Sequence, residues 1–135
     1  MSAIRVARLT PADRTLARTL FTTMAGVFES ECEPLGDDYL DRLLEREEFW
    51  ALAATVDDAI VGGLTAYTLP QTRAEVAELF IYDVAVVPAW QRRGVGRHLM
   101  ATLRTQASWS PSSPPTTTTP MPSTSIVRSV ARPHQ

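Results

Sequence analysis

The chain has 135 residues, 44% of them hydrophobic and 21% charged, and a formal net charge of −2. That is one domain with room for a core; it has no cationic excess to draw nucleic acid or an anionic membrane, and no apolar run nears the roughly 20 residues of a membrane span. One cysteine, Cys32, excludes an internal disulfide and a multi-cysteine metal site, and Met1–Arg5 lacks a signal peptide's apolar stretch, so a cytoplasmic location and no metal centre are expected.

The averages hide two compositions. All 13 cationic residues are arginine, and from Ser108 to Gln135, 18 of 28 residues are Ser, Thr or Pro while none is acidic. The chain is therefore read as residues 1–107, which carry periodic patterns, and residues 108–135, a Pro/Ser/Thr-rich tail expected to be disordered.

In chain order, Ile4 to Leu9 alternates apolar and polar side chains and predicts a first strand. Thr10-Pro11 starts a helix, with a hydroxyl N-cap, a proline at the first helical position and Asp13 in the first turn. Leu16, Leu20, Met24, Val27 and Phe28 continue it at helical spacing. Nine of the 15 acids lie between Glu29 and Glu48, where Asp37 or Asp38 can cap a short second helix through Leu40, Leu43 and Leu44. Phe49 to Val56 and Ala59 to Leu69 predict a hairpin around Asp57-Asp58, with Gly62-Gly63 inside its second strand. After Pro70 and a loop over Gln71 to Ala74, Glu78 to Val87 is the strongest strand, aromatic, β-branched and unbroken, and is expected to be central. Pro88-Ala89-Trp90 breaks it, and a helix runs from Gly94 to Ala107 with Leu99, Met100 and Leu103 on its apolar side. The order β, α, α, β, β, β, α is of the α/β class, with no internal repeat.

The chemistry concentrates in Val84-Ala85-Val86-Val87-Pro88-Ala89-Trp90-Gln91-Arg92-Arg93-Gly94-Val95-Gly96-Arg97. A buried strand leads through a short break into a Gly-containing turn that opens a helix. Backbone N–H groups at a helix N-terminus have no intrahelical partner and converge on one point. Glycine lets a ligand approach the backbone, and Arg92, Arg93 and Arg97 add positive charge. A phosphate or pyrophosphate fits. The turn is not a P-loop, because the Lys-Ser/Thr pair is absent, and Gly-x-Gly-x-x-Gly is incomplete.

Gln91, Arg92, Arg93, Gly94, Val95 and Gly96 resemble the acetyl-CoA motif Gln/Arg-x-x-Gly-x-Gly/Ala of the GNAT N-acetyltransferases. The upstream strand, hairpin and two helices fit that resemblance across residues 1–107. More narrowly, Phe49-Trp50-Ala51-Leu52-Ala53-Ala54, Val61-Gly62-Gly63-Leu64-Thr65-Ala66-Tyr67-Thr68-Leu69-Pro70 and Glu78-Leu79-Phe80-Ile81-Tyr82-Asp83-Val84-Ala85-Val86 look like the aminoglycoside 3-N-acetyltransferases of the gentamicin and fortimicin type.

The resemblance implies a partial GNAT acyl-CoA N-acyltransferase fold, a mixed and mostly antiparallel sheet with flanking helices. It implies acetyl-CoA as co-substrate, its pyrophosphate on Gln91–Arg97, its pantetheine arm paired with Val84, Ala85 and Val86, and its thioester oxygen on a backbone N–H. It implies Asp83 as the group that receives the acceptor amine and takes its proton, directly or through water, with Glu78 second. The acceptor would be a polycationic aminoglycoside, concentrated by a negative rim of Glu29, Glu31, Glu33, Asp37, Asp38 and Asp41, and the product would confer antibiotic resistance. A homodimer is compatible with this reading. His98 is expected on the helix in a packing or surface role, Cys32 as a spectator thiol, Trp50 in the core and Trp90 beside the turn.

The tail departs from that family, which continues with another strand, another helix and a final hairpin. Its prolines and scarcity of apolar residues argue against further strands. Joining each third codon base to the next residue's first two allows Asp-Asp-Asp-x-x-Ala-Leu-Asp-Phe-Tyr-Arg across Thr116 to Val127. That resembles the GNAT segment in which an acidic turn precedes a helix Ala-x-x-Phe/Leu-Tyr-x-x-Leu-Gly. The expectation is a frameshifted C-terminal half, with one wall of the cofactor cleft and the family's later thiolate-protonating tyrosine missing, and the fourth strand's edge exposed. Three alternatives stay open: a GNAT enzyme acting on another small amine or a peptide N-terminus, an inactive remnant, and a folded domain bearing a genuine Pro/Ser/Thr stalk.

Overall fold

The computed structural model describes residues 3–73, 75 and 77–107 and the backbone of Thr124 and Ser125; the expectations for Ala74 and for the rest of 108–135 lie outside the described residues. Strands β1 (Arg5–Arg8), β2 (Phe49–Val56), β3 (Ala59–Pro70), β4 (Ala77–Val86) and β5 (Thr124–Ser125) form one sheet in the order β1-β2-β3-β4-β5. The first four pair antiparallel, and β5 lies parallel to β4. Helices α1 (Arg14–Val27) and α2 (Asp37–Glu45) cover one face and α3 (Val95–Ala107) the other.

Two covered faces explain the unbroken apolar run of β2. Trp50, Leu52 and Ala54 pack toward Val95, Leu99 and Leu103 of α3. Phe49, Ala51 and Ala53 pack toward Ala17, Leu20 and Met24 of α1 and Leu44 of α2. Successive side chains on a strand point to opposite faces, so a strand buried on both sides needs apolar residues at every position. The Trp50 indole N–H donates to Thr68 Oγ1 at 2.8 Å, and the Arg8 guanidinium lies 3.6 Å over the Trp50 ring while donating to the carbonyls of Glu47 and Phe49. Burial of this guanidinium pulls its pKa down, against the opposing pull of Glu47.

Local chemistry sets the connections. Asp57 and Asp58 both take positive φ, 51° and 66°, as a two-residue turn of the hairpin type requires. Thr10 and Asp13 form a capping box on a short 3₁₀ turn, Pro11–Asp13: the Ala12 N–H donates to Thr10 Oγ1 and the Thr10 N–H to Asp13 Oδ2. Gly62 and Gly63 admit one helix each. A Cβ on Gly63 would sit 2.5 Å from Leu20 Cδ1 and 2.9 Å from Met24 Sδ of α1. A Cβ on Gly62 would sit 2.9 Å from Val95 Cγ1 of α3 and equally close to the Ala85 carbonyl oxygen.

Two expectations are corrected. β3, not β4, is the middle strand, because β4 has β3 on one side and a two-residue β5 on the other. The apolar run of β4 comes from helices on both faces, not from strands on both edges. The α2 cap is Gly36, whose carbonyl accepts from the Leu40 N–H at 3.0 Å, because Asp37 is drawn into ion pairs. Thr124 and Ser125 pair with Leu79 and Phe80.

α2 is clasped to α1 by charge. Arg14 pairs with Asp37 at 3.0 Å and Asp41 at 2.9 Å, and Arg18 also pairs with Asp37. The hydrogen bond from Arg18 and the Arg14 charge hold the Asp37 carboxyl below its usual range, and Asp41 and Asp37 raise Arg14. A carboxyl depressed in the folded state stabilises it above the unfolded pKa, and that contribution is lost as pH falls through the folded value. Thermal melts from pH 6 downward should lose the Asp37 contribution below about pH 4, and Asp37→Asn should flatten that limb. The glycine pair gives a second test. Gly62→Ala and Gly63→Ala should each cost about 1–3 kcal/mol in urea unfolding. Gly62→Ala should cost more, because a backbone oxygen cannot step aside as Leu20 and Met24 can.

Candidate active site

The site grows from an irregularity in β4. Across the β3–β4 ladder Thr65 faces Asp83, but the next residue, Ala66, faces Ile81. Tyr82 is thus the extra residue of a β-bulge. Before it, Leu79 and Ile81 pack on the α3 side; after it, Val84 and Val86 do. The phase slip leaves Tyr82 and Asp83 as consecutive residues that both line one cavity on the α1–α2 side.

That cavity measures about 300 Å³. Phe21, Met24 and Phe28 of α1 and its C-terminus, Phe49 of β2 and Tyr67 of β3 supply apolar walls, and Thr65, Asp83 and Glu31 supply polar atoms. Phe49 and Tyr67 rings lie 5.2 Å apart, and Tyr67 meets Tyr82 edge-on at 6.3 Å. Burial, with the neighbouring Tyr39 and Tyr82, pushes the Tyr67 phenol up, so it is protonated at neutral pH. α1 ends with Glu29 at φ 55° and the Ser30 N–H on the Ala25 carbonyl at 2.8 Å. This left-handed turn brings Ser30 and Glu31 back over the cavity.

The anion turn follows the C-terminal end of the same strand, a few residues beyond Asp83. Pro88–Trp90 makes a 3₁₀ turn, and the Gln91 side-chain amide donates to the Val86 carbonyl at 3.0 Å, tying the turn to β4. The Gln91 N–H is already spent on the Pro88 carbonyl, at 3.3 Å. Arg92 and Gly94 take positive φ, 65° and 86°. The Gly94 carbonyl accepts the first helical bond of α3, from His98 at 3.0 Å. The N–H groups of Val95, Gly96 and Arg97 are therefore the ones that open onto the turn. Among the described residues a Cβ on Gly94 would meet nothing within 4 Å, and one on Gly96 only Val86 Cγ2 at 4.0 Å, so neither glycine is crowded there. Arg92, Arg93 and Arg97 are exposed, and Arg93 lies 5.1 Å over the Trp90 ring.

Between turn and cavity runs the outer edge of β4. The Val87 N–H bonds the Val61 carbonyl at 2.9 Å, which fixes the phase of the ladder. Alternation then aims the backbone groups of Ala85 at β3 and those of Val84 and Val86 outward. Among the described residues no strand pairs with that edge at Val84–Val86. Open amides at a helix N-terminus, arginines around them and an unpaired edge leading to a cavity suit a pyrophosphate joined to an extended amide-bearing arm.

The structure thus brings Asp83 and Val84–Arg97 into one continuous path. Glu78 lies on the same sheet face as Tyr82 but opposite Leu69, and it does not line the cavity. The acidic rim contracts: of its six expected acids only Glu31 lines the cavity, while Asp37 and Asp41 are bound to Arg14 and Arg18. Trp50 is buried and Trp90 packs beside the turn, as expected; His98 and Cys32 are exposed. Thr65, Tyr67 and Tyr82 went unnoticed in the sequence. Their signal was there: apolar spacing of two, three and two residues through Leu79, Ile81, Val84 and Val86 marks the bulge.

Comparison with known proteins agrees. The chain is similar to the aminoglycoside acetyltransferase HMB0005 from an uncultured soil metagenomic sample, at 36% identity and a TM-score of 0.73 over 78% of this chain and 72% of that one. It is similar to the aminoglycoside acetyltransferase meta-AAC0020, also from an uncultured soil metagenomic sample and solved in complex with sisomicin, at 32% identity and a TM-score of 0.72 over 76% and 68%. It is similar to a ribosomal-protein-alanine N-acetyltransferase from Brucella melitensis biovar Abortus 2308, at 26% identity and a TM-score of 0.65 over 80% and 76%. No curated protein matches the chain. Residues 15–108 match the Acetyltransferase (GNAT) family, and with the anion turn, the open β4 edge and the bulge in place, the chain belongs to that family.

Proposed function

We propose that the chain is an aminoglycoside N-acetyltransferase, acting at the 3-N position and conferring resistance in the cytoplasm, with acetyl-CoA as acetyl donor. The observation that carries the reading is the bulge at Tyr82. It places Asp83 in a cavity on one side of β4 while the strand's open edge runs back to the anion turn. Val84 is adjacent to Asp83, and Val86 lies about 10 Å from Asp83 along the strand, at about 3.3 Å per residue.

The residues divide the work. The α3 amides with Arg92, Arg93 and Arg97 hold the pyrophosphate, and Val84 and Val86 pair with the pantetheine amides. Gln91 acts by fixing the turn through its side chain. Asp83 receives the cationic amine and takes the proton it must shed. As the amine nitrogen bonds to the acetyl carbon, the carbon–sulfur bond breaks and CoA leaves, to be protonated to the thiol. Phe49, Tyr67 and Tyr82 present ring faces and edges to a sugar ring and shed water from it. The likeness to meta-AAC0020, which was solved with sisomicin, favours an aminoglycoside as acceptor. Residues 108–135 are proposed to be the frameshifted remainder of such an enzyme. A nucleotide sequence whose alternate frame lacks the acidic turn and the Ala-x-x-Phe/Leu-Tyr segment, or is broken by stop codons, sinks that part.

The purified chain mixed with acetyl-CoA and gentamicin should release CoA thiol in a drug-dependent way. Silence from folded, soluble protein goes against activity in this chain. Asp83→Asn should lower kcat about 10²-fold or more while leaving the KM for acetyl-CoA near its wild-type value. Gly94→Val, which forces a β-branched residue to φ 86°, should raise the KM for acetyl-CoA about tenfold and leave that for the drug unchanged.

A further inference from the structure

Thr65 is the polar residue among the buried side chains of the described core, 7% exposed among alanines, leucines and aromatics. Its Oγ1 has no hydrogen-bond partner among the described residues. It lines the cavity, and it stands directly across the ladder from Asp83. A valine has the same shape and the same strand preference, so neither packing nor β-propensity calls for a hydroxyl here. Buried polar atoms are satisfied as a rule, and an unsatisfied one facing a cavity beside a carboxylate marks a place where something else completes the bond.

Resting on the reading of the cavity as an acceptor-amine site, we infer that Thr65 is a substrate-binding residue that holds the reacting amine beside Asp83. The hydroxyl both accepts and donates. Its oxygen takes one N–H of the amine while Asp83 takes another, so the nitrogen is held at two points on neighbouring strands. Once the amine has given up a proton, the hydroxyl still accepts from a remaining N–H and keeps the nitrogen in place. Thr is stiff at χ1, which fixes the oxygen's direction better than Ser would. Tyr67, two residues along β3 on the same face and protonated at neutral pH, stands across the ladder from Phe80 and not from Asp83.

The test is gentamicin binding by titration calorimetry to wild type, Thr65→Val, Thr65→Ala and Thr65→Ser, with melting temperatures measured alongside. Removing an unsatisfied buried hydroxyl should leave the melting temperature of Thr65→Val equal to wild type or higher. Its affinity for gentamicin should fall at least about tenfold, as for loss of a hydrogen bond to a charged group, and Thr65→Ser should recover most of it. Where acetyl transfer is measurable, kcat should fall with the affinity and the KM for acetyl-CoA should stay. Equal binding by wild type, Thr65→Val and Thr65→Ala overturns the role of Thr65 alone. No binding by any of the four, wild type included, overturns the amine-site reading and this inference with it. Should Thr65→Val fail to fold, Thr65→Ala against Thr65→Ser carries the same comparison.

Discussion

Tyr82 has no partner of its own across the β3–β4 ladder, and that one inserted residue decides which way every later side chain of β4 faces. Without it, strict alternation would send Asp83 to the α3 side with Ile81, and put Val84 in the cavity. A carboxylate would be buried against Val95 and Leu99, at a cost no neighbour could offset. With it, the apolar residues on both sides of the bulge reach the α3 core, and Tyr82 and Asp83 both face the cavity. The same insertion increases the local twist of the strand, which tends to part β4 from any neighbour beyond it. A gap beside β4 is where an extended arm can add itself as a strand.

The second constraint is how closely the helices can approach. Gly62 and Gly63 are adjacent, so they point to opposite faces, and each removes the methyl that would hold a helix off the sheet. On the α3 side this seats Val95, the first residue of the helix, against β3 at Gly62. The amides of the α3 N-terminus are thereby pinned at the end of β4, where Gln91 ties the turn to Val86. On the α1 side Leu20 and Met24 come down onto β3, and the C-terminal turn of that helix carries Phe28 and Glu31 to the cavity mouth. Two residues with no side chains thus help set the distance between the turn and the cavity.

Much of this is legible in the residues. The hairpin at Asp57-Asp58, the helices with their leucine stripes and the Arg-x-x-Gly-x-Gly turn follow from local chemistry that neighbours do not override. The anion turn is legible because helix N-terminus, glycines and arginines are contiguous. Of the acidic rim, the sequence shows the charge of Asp37 and Asp41 but not their partners, 19 to 27 positions earlier in α1. β4 looked central because burial from helices and burial from strands leave the same apolar composition. Thr65 escaped notice because a threonine in a strand is ordinary until its register opposite Asp83 is known.

The site is also where the fold gives up stability. Thr65 keeps a buried hydroxyl unsatisfied, a deficit on the order of 1–3 kcal/mol, and Val84 and Val86 turn backbone amides to an edge where a paired strand would bind them. Arg92, Arg93 and Arg97 crowd like charge around one helix end. On the proposed reading each deficit would be removed by a different part of the ligands: the acceptor amine would meet Thr65, an amide-bearing arm the β4 edge, and a pyrophosphate the arginines. Occupancy that satisfies groups left open in the free protein stabilises the folded state by mass action. On that reading both ligands would meet β4, the acceptor at Asp83 and the donor along Val84–Val86 and the turn that follows, and the bulged register of the strand would serve both.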